Sequence, residues 1–473
     1  MTVPGPRGPE HWRAMNLAAG DTLAAIDLLR ERHGDAFVFG FGPIRFHWLL
    51  GADANRFVLH QAASSFRNRE AYRFLEPIVG RGALIVSDEP EHLQRRRRVQ
   101  GAFQRRRLHG VGARALLAFD AWADEVLARR ELALQPSLRP VVLDLVIDVL
   151  LGAGVRTRHP RLRHDLFAMM AFANQPFLAQ LFRLPLPGTP WWRFTAARRR
   201  VDAALYAEIA RHRDRRGDDD GVLAMLLADS ADGPPLADEV VRDQAVGLVA
   251  AGFDTTTAAL TWCAWLLCDE ALRERVASAV QAVPMPTDLR AAASEQIEEA
   301  AAVPEFDALW REALRLYPPA PAILRVSHEE LRWRGLQLPR GALVALSTYH
   351  THRDDRLWRE APRVELERWL GADPSWAAPR DPFAYLPFGY GARHCIGAGL
   401  ARILAGAWST VLLRRARWQA LAPEAVRPLG TTLSPPGGLP LRFEPLEGGP
   451  RRAPRTAVDG APSAAGARRS EPA

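Results

Sequence analysis

From about His92 to Ala282, apolar residues recur every three or four positions. That is the period of helices burying one face. The segments 92–104, 112–130, 196–212 and 238–282 carry it most clearly. Residues 21–33 carry it nearer the N-terminus, with Asp21 placed as an N-cap. Ala36–Phe41 and Ile44–Leu50 read as two strands joined by a tight Gly42-Pro43 turn. Arg183–Trp192, rich in Pro and aromatic residues, reads as a loop. A helix from about Glu305 to Leu316 must end near Tyr317, because the residue before a proline avoids helical dihedrals. Leu331–Ser347 reads as strands and turns, with Pro339-Arg340-Gly341 reversing the chain, and a loop-rich stretch runs on to Ala392. A last helix is expected from about Ile396 to Arg415. The fold class is therefore mainly α with small β-sheets, in one domain over residues 1–445 with no linker. Residues 446–473 have no aromatic residue and are rich in Ala, Arg, Gly and Pro, the composition of a disordered tail.

One apolar stretch could be mistaken for a membrane span. Between Gln244 and Cys268 the only charge is Asp254, and the length would cross a bilayer. Yet its middle holds Gly247, Gly252 and the run Asp254-Thr255-Thr256-Thr257. A carboxylate there is costly in lipid. The central helix of a large soluble protein has the same all-round apolarity. The Pro- and Gly-rich start, Met1 to Trp12, lacks the apolar core of a signal peptide.

Composition narrows the picture further. At 473 residues, with 48% hydrophobic and 25% charged residues, the chain is neither disordered nor fibrous. Three cysteines cannot form a disulfide framework, so a reducing, cytoplasmic setting is expected. The net charge is +8, and all 62 basic residues are Arg. Arg and Ala in excess with no Lys reads as coding bias, and no nucleic-acid partner is inferred from it.

The segment Phe388-Gly389-Tyr390-Gly391-Ala392-Arg393-His394-Cys395-Ile396-Gly397 is the most informative. A free thiol has a pKa of about 8.5, so a stable thiolate needs help. A Gly-rich loop running into a helix N-terminus supplies backbone amides and a favourable dipole, and Arg393 adds a cation. The loop is therefore suited to holding a metal through Cys395. A buried structural cysteine is the plainer alternative. Cys263 and Cys268 lie five apart on a helix, off one another's face, and do not form a metal pair.

The segment resembles the haem-ligand loop of the cytochrome P450 family, Phe-x-x-Gly-x-Arg-x-Cys-x-Gly. Phe388, Gly391, Arg393, Cys395 and Gly397 fill every fixed position. With this composition, a chance match arises in about one chain in ten thousand. Other segments match in the family's order. Glu312-x-x-Arg315, followed by Glu367-Arg368, resembles the family's buried Glu–Arg–Arg clamp, although Leu366 stands where Pro is common. Ala251-Gly252-Phe253-Asp254-Thr255 resembles the central helix over the haem, where Asp254 and Thr255 would form an acid–alcohol pair for proton delivery. Gly252 and the threonines favour a distorted groove in that helix. His92 and Arg96, four apart on one helix face, and Arg325 match propionate-binding positions, with Arg393 a third.

The resemblance covers about residues 20–445. It implies a cytochrome P450 fold with haem b between the central helix and the Cys395 loop. It implies a monooxygenase that inserts one atom of O2 into an apolar small molecule. Electrons would come from NAD(P)H through a separate acidic ferredoxin or flavodoxin and its reductase. A soluble, bacterial-type monomer without a membrane anchor is expected. Peroxide-driven or non-oxidative relatives often lack the acid–alcohol pair, and a haem-binding sensor or carrier does not need it. Variable pocket segments fall at about 72–86, 167–190 and 433–438, with 320–324 beside the haem. With Arg96 turned inward to a propionate, Arg95, Arg97 and Arg98, together with Arg105–Arg107, would face the redox partner.

Overall fold

The computed structural model describes residues 2–42, 44–103, 108, 110–152, 154–172, 183–214, 221–228, 235–286, 294–422 and 432–446. The expected tail lies outside the described residues.

A helical body packs around the helix Asp238–Leu266, which is almost wholly buried from Thr256 onward. It runs against Leu134–Leu151 on one side and Pro304–Leu316 on another. Ala398–Arg415 packs on Val111–Arg129 behind it. Trp262 and Trp408, fully buried, fill the core these helices share. Among the described residues no helix is long and apolar enough to cross a membrane. Most of the apolar stretch 244–268 lies in this core helix.

A five-stranded sheet flanks this body. Its order is Ala36–Phe41, Ile44–Leu49, Leu343–Ser347, Ala322–Ser327 and Phe66–Arg67. The first two strands form the expected hairpin, pairing Phe41 with Ile44. The second runs parallel to Leu343–Ser347, and the remaining neighbours are antiparallel. A second sheet joins Glu131–Ala133, Pro440–Pro445 and Ala416–Ala420.

Several boundaries differ from the expectation, each for a local reason. The segment 238–282 is two helices. The Asp269 carboxylate accepts the Leu272 amide (2.8 Å) and starts a second helix, Glu270–Ala282. A helix Gly8–Gly20 precedes the expected first one, with Pro9 in its first turn, where a missing N–H costs nothing. Leu134–Leu151 is a full helix despite Pro140. The loop before Pro190 is shorter than expected, because Trp191 and Trp192 already belong to a helix ending at Asp214. The central helix is continuous over its Gly252–Thr257 stretch, so the distorted groove is not found. The threonine hydroxyls there bond back to carbonyls one turn earlier instead of displacing the helical hydrogen bonds.

Candidate active site

One cavity of about 560 Å³ is lined by the central helix, the Cys395 loop, the strap around residues 72–86 and the strand entry at 319–325. It brings together Ala251, Gly252, Asp254 and Thr255 with His92, Arg96, Arg325, Phe388, Arg393, Cys395 and Gly397. Gly391 does not line it but shapes the loop. Gly389 and Gly391 take φ of +72° and +64°, where a side chain would be strained. These turns let the Cys395 amide donate to the Phe388 carbonyl (2.8 Å) and the His394 amide to that of Gly391 (3.0 Å). The helix begins at Ala398, two residues later than expected, with Gly397 as its cap.

The thiol of Cys395 opens onto the cavity. Partial burial pushes its pKa up, while the Gly397 and Ala398 amides and the Arg96 cation pull it back. Those amides and that cation hold negative charge on sulfur once a metal has displaced the proton. The other cysteines have no such support. Cys263 is wholly buried in the core, and burial drives its thiol far up; Cys268 is raised to about 11.

Four cationic or basic side chains line the same cavity. His92 is buried on Glu91–Ala102, with Nδ1 3.2 Å from Glu89. Burial and then Arg393 depress it to about 4, so its ring is neutral at pH 7. Arg96 lies one turn on, facing the same cavity. Arg325 is 8% exposed, and its Nη1 donates to the Leu324 carbonyl (2.8 Å). Among the described residues, no carboxylate pairs with Arg96 or Arg325. A buried cation without a counter-ion is costly, so Arg325, with the half-buried Arg96 lining the same cavity, suits an anionic group entering there. Arg393 is already engaged. It donates to the Ser87 carbonyl (2.7 Å) and to Glu89 (2.9 Å), stapling the Cys395 loop to the segment before His92.

The opposite wall holds Asp254 and Thr255. The Thr255 hydroxyl donates to the Ala251 carbonyl (2.7 Å). Asp254 has a partner that the sequence did not disclose: Arg139 of Leu134–Leu151, whose Nη2 lies 3.0 Å from Oδ1. The Arg139 guanidinium stacks on both Phe167 and Phe253, at 5.5 Å from each ring. Burial raises the Asp254 carboxyl, and Arg139 opposes that rise.

Outside the cavity, Glu312 and Arg315 are fully buried and pair twice, at 2.8 and 2.6 Å. Arg368 reaches the same carboxylate at 3.3 Å. The Trp369 indole and the Glu365 amide also donate to it, both at 3.0 Å. The remaining Arg315 donors meet the carbonyls of His352, Ala361 and Arg363. Leu366, where proline is common, leaves the clamp intact.

Comparisons with known proteins agree with this geometry. The profile described as Cytochrome P450 matches residues 3–438. A putative cytochrome P450 139 of Mycobacterium tuberculosis is 30% identical over 405 residues, 85% of this chain and 90% of that protein. A cyclooctatin synthase of Streptomyces melanosporofaciens is 29% identical over 420 residues, 82% and 86% of the two chains. The solved structure of a retinoic acid-bound cyanobacterial CYP120A1 superposes with a TM-score of 0.80 at 23% identity, covering 94% of this chain and 99% of that one.

Proposed function

The chain belongs to the cytochrome P450 family and is a monooxygenase of that family; on that premise we propose that its substrate is an apolar small molecule and that Cys395 would hold the iron of haem b through its thiolate. When bound, the haem supplies the activation of O2. His92, Arg96 and Arg325 hold its propionates, with Arg393 fixing the ligand loop. Phe388, Gly391 and Gly397 shape that loop around the sulfur. The observation that carries this reading is the convergence on one cavity of a thiol backed by amides, two guanidinium groups, one buried and one half-buried, without carboxylate partners among the described residues, and an acid–alcohol pair.

The residues divide the work. Thr255 presents a hydroxyl over the cavity, held by the Ala251 carbonyl, and can pass a proton on once that bond rotates away. Asp254 refills it from a carboxyl that Arg139 keeps in place. Gly252 lets the central helix pass close to Leu134–Leu151, where a Cβ would meet Val146 at 3.4 Å. The wall toward the substrate is apolar, formed by Leu75, Ile78, Val79, Leu84, Leu248 and Ile323, so shape and desolvation select the ligand. A screen of ligands for a spin-state shift in the haem spectrum tests this. Apolar compounds should give saturable shifts, and binding confined to charged compounds would contradict it.

Residues 1–445 act as one catalytic domain, a cytoplasmic monomer, with electrons from NAD(P)H through an acidic ferredoxin or flavodoxin and its reductase. The cationic surface proposed for that partner is smaller than expected. Arg97 is exposed and Arg95 half-buried, but Arg98 is buried at 8% exposure and turned away from solvent. Arg105–Arg107 lie outside the described residues. A salt-sensitive reduction rate that falls in Arg97→Glu supports docking there.

A further inference from the structure

A second cavity, also of about 560 Å³, shares no lining residue with the first. It is an open hollow where the N-terminal segment meets the first hairpin, and its walls are fixed by the backbone. The Pro4 carbonyl accepts the Val38 amide (2.7 Å), which lays the first residues along Ala36–Phe41, the outermost strand of the large sheet. Gly5 sits so close to that strand that a Cβ would meet the Val38 carbonyl oxygen at 2.4 Å. The chain then turns at Gly8 (φ +54°) into the helix Gly8–Gly20. The His11 ring meets Phe39 edge to face at 5.9 Å and holds that helix against the strand.

Two kinds of chemistry line the hollow. Val3, Pro6 and Val38 give it an apolar floor, flanked by the Trp12 indole, which is 70% exposed. Arg7, just before the helix, and Arg45, on Ile44–Leu49, add two exposed guanidinium groups. Neither pairs with a carboxylate among the described residues, and no Asp or Glu lines the hollow. Glu10, close to Arg7 in sequence, is turned to Arg32 (3.4 Å) and His33 (3.1 Å) of the next helix. Exposed Arg is ordinary in this chain, but many such residues carry a carboxylate, as Arg56 does with Asp381 and Arg156 with Asp148. Arg7 and Arg45 instead share an acid-free hollow with an exposed indole.

We propose that this hollow binds a small aromatic carboxylate, its ring beside Trp12 on the apolar floor and its carboxylate on Arg7 and Arg45. A planar guanidinium meets a carboxylate through two parallel hydrogen bonds, and aromatic rings pair with an indole face. The apolar floor favours a hydrocarbon ring over a nucleobase, whose edge atoms would lose their water there. The volume lies within the range of small-molecule sites. The proposal goes beyond the monooxygenase reading and does not depend on it.

The test is calorimetric titration of the haem-loaded full chain with naphthoate, after the haem cavity has been filled with phenylimidazole. Uncharged naphthamide is the paired probe. The result expected is saturable naphthoate binding that weakens with salt, with naphthamide bound about tenfold more weakly. Arg7→Gln with Arg45→Gln should lower naphthoate affinity about tenfold and leave naphthamide unchanged. Trp12→Ser should weaken both probes, and Trp12→Phe should restore most of the loss. An unchanged thermal midpoint and CO-difference spectrum in each variant shows that it is folded. Wild type that binds no naphthoate beside the azole at low salt overturns the proposal. So does naphthamide binding as tight as that of naphthoate, or naphthoate binding that is equal in wild type and all variants.

Discussion

The Arg139 guanidinium lies 3.0 Å from the Asp254 carboxylate and stacks between Phe167 and Phe253. One cation thereby links the acid of the proton path to two aromatic rings, one on the central helix and one on Leu162–Met170. Burial raises the Asp254 carboxyl, and Arg139 is the influence that restrains it. Arg139→Ala should therefore raise it further. The alkaline limb of product formed per NAD(P)H, where that carboxyl loses its proton, should move to higher pH, while Arg139→Lys retains most of the wild-type profile. An unmoved limb in Arg139→Ala would detach Asp254 from the proton path.

Thr255→Ala removes the hydroxyl and leaves the helix intact, since only its back-bond to Ala251 is lost. Proton transfer by a placed group contributes about 10²–10⁴-fold. NAD(P)H consumption should continue with peroxide replacing much of the product, and the product-to-peroxide ratio measures it. Unchanged coupling would move the relay elsewhere, with Thr256 the neighbouring candidate.

Glu312→Ala leaves two buried guanidinium groups without their shared carboxylate. Removing one partner of such a group costs about 3–5 kcal/mol. Denaturant unfolding should show that loss, with little haem-loaded protein recovered. Normal stability and haem content would show that the backbone carbonyls around Arg315 suffice alone.

His352 is wholly buried, and its Nε2 accepts the Leu386 amide (2.8 Å) just before the Cys395 loop. Burial, followed by Arg315, lowers it to about 3 from the ordinary 6.5. The unfolded chain therefore takes up this proton at a pH where the folded one does not. Stability is full above about 6.5 and falls as pH drops from there toward 3. His92, lowered to about 4, adds the same sign over the upper part of that window. His352→Gln should flatten the acid slope of unfolding free energy, as read by denaturant titrations at several pH values.

The sequence disclosed the residues whose spacing the chemistry dictates. Phe388 to Gly397 and Ala251 to Thr255 each act within a turn or two of one backbone, so their order survives in the chain. Arg139 was invisible because its meaning lies in a partner on another helix. Its own helix was missed as well: Leu143, Leu145, Val146 and Ile147 are all buried, so its polar face narrows to Asp144 and Asp148, and Pro140 reads as a break. The strands Ala416–Ala420 and Pro440–Pro445 exist by pairing with each other, which a local pattern does not carry. Arg98 looked like one of three equivalent surface cations with Arg95 and Arg97, and only the packing of its helix buries it.

The account turns on Cys395 as the thiolate ligand, and the reduced, CO-bound spectrum tests this most directly. Wild type should show the red-shifted Soret band of thiolate ligation, Cys395→His should lose it, and Cys263→Ala and Cys268→Ala should keep it. A thiolate band that persists in Cys395→His, or vanishes in Cys263→Ala, would contradict the assignment.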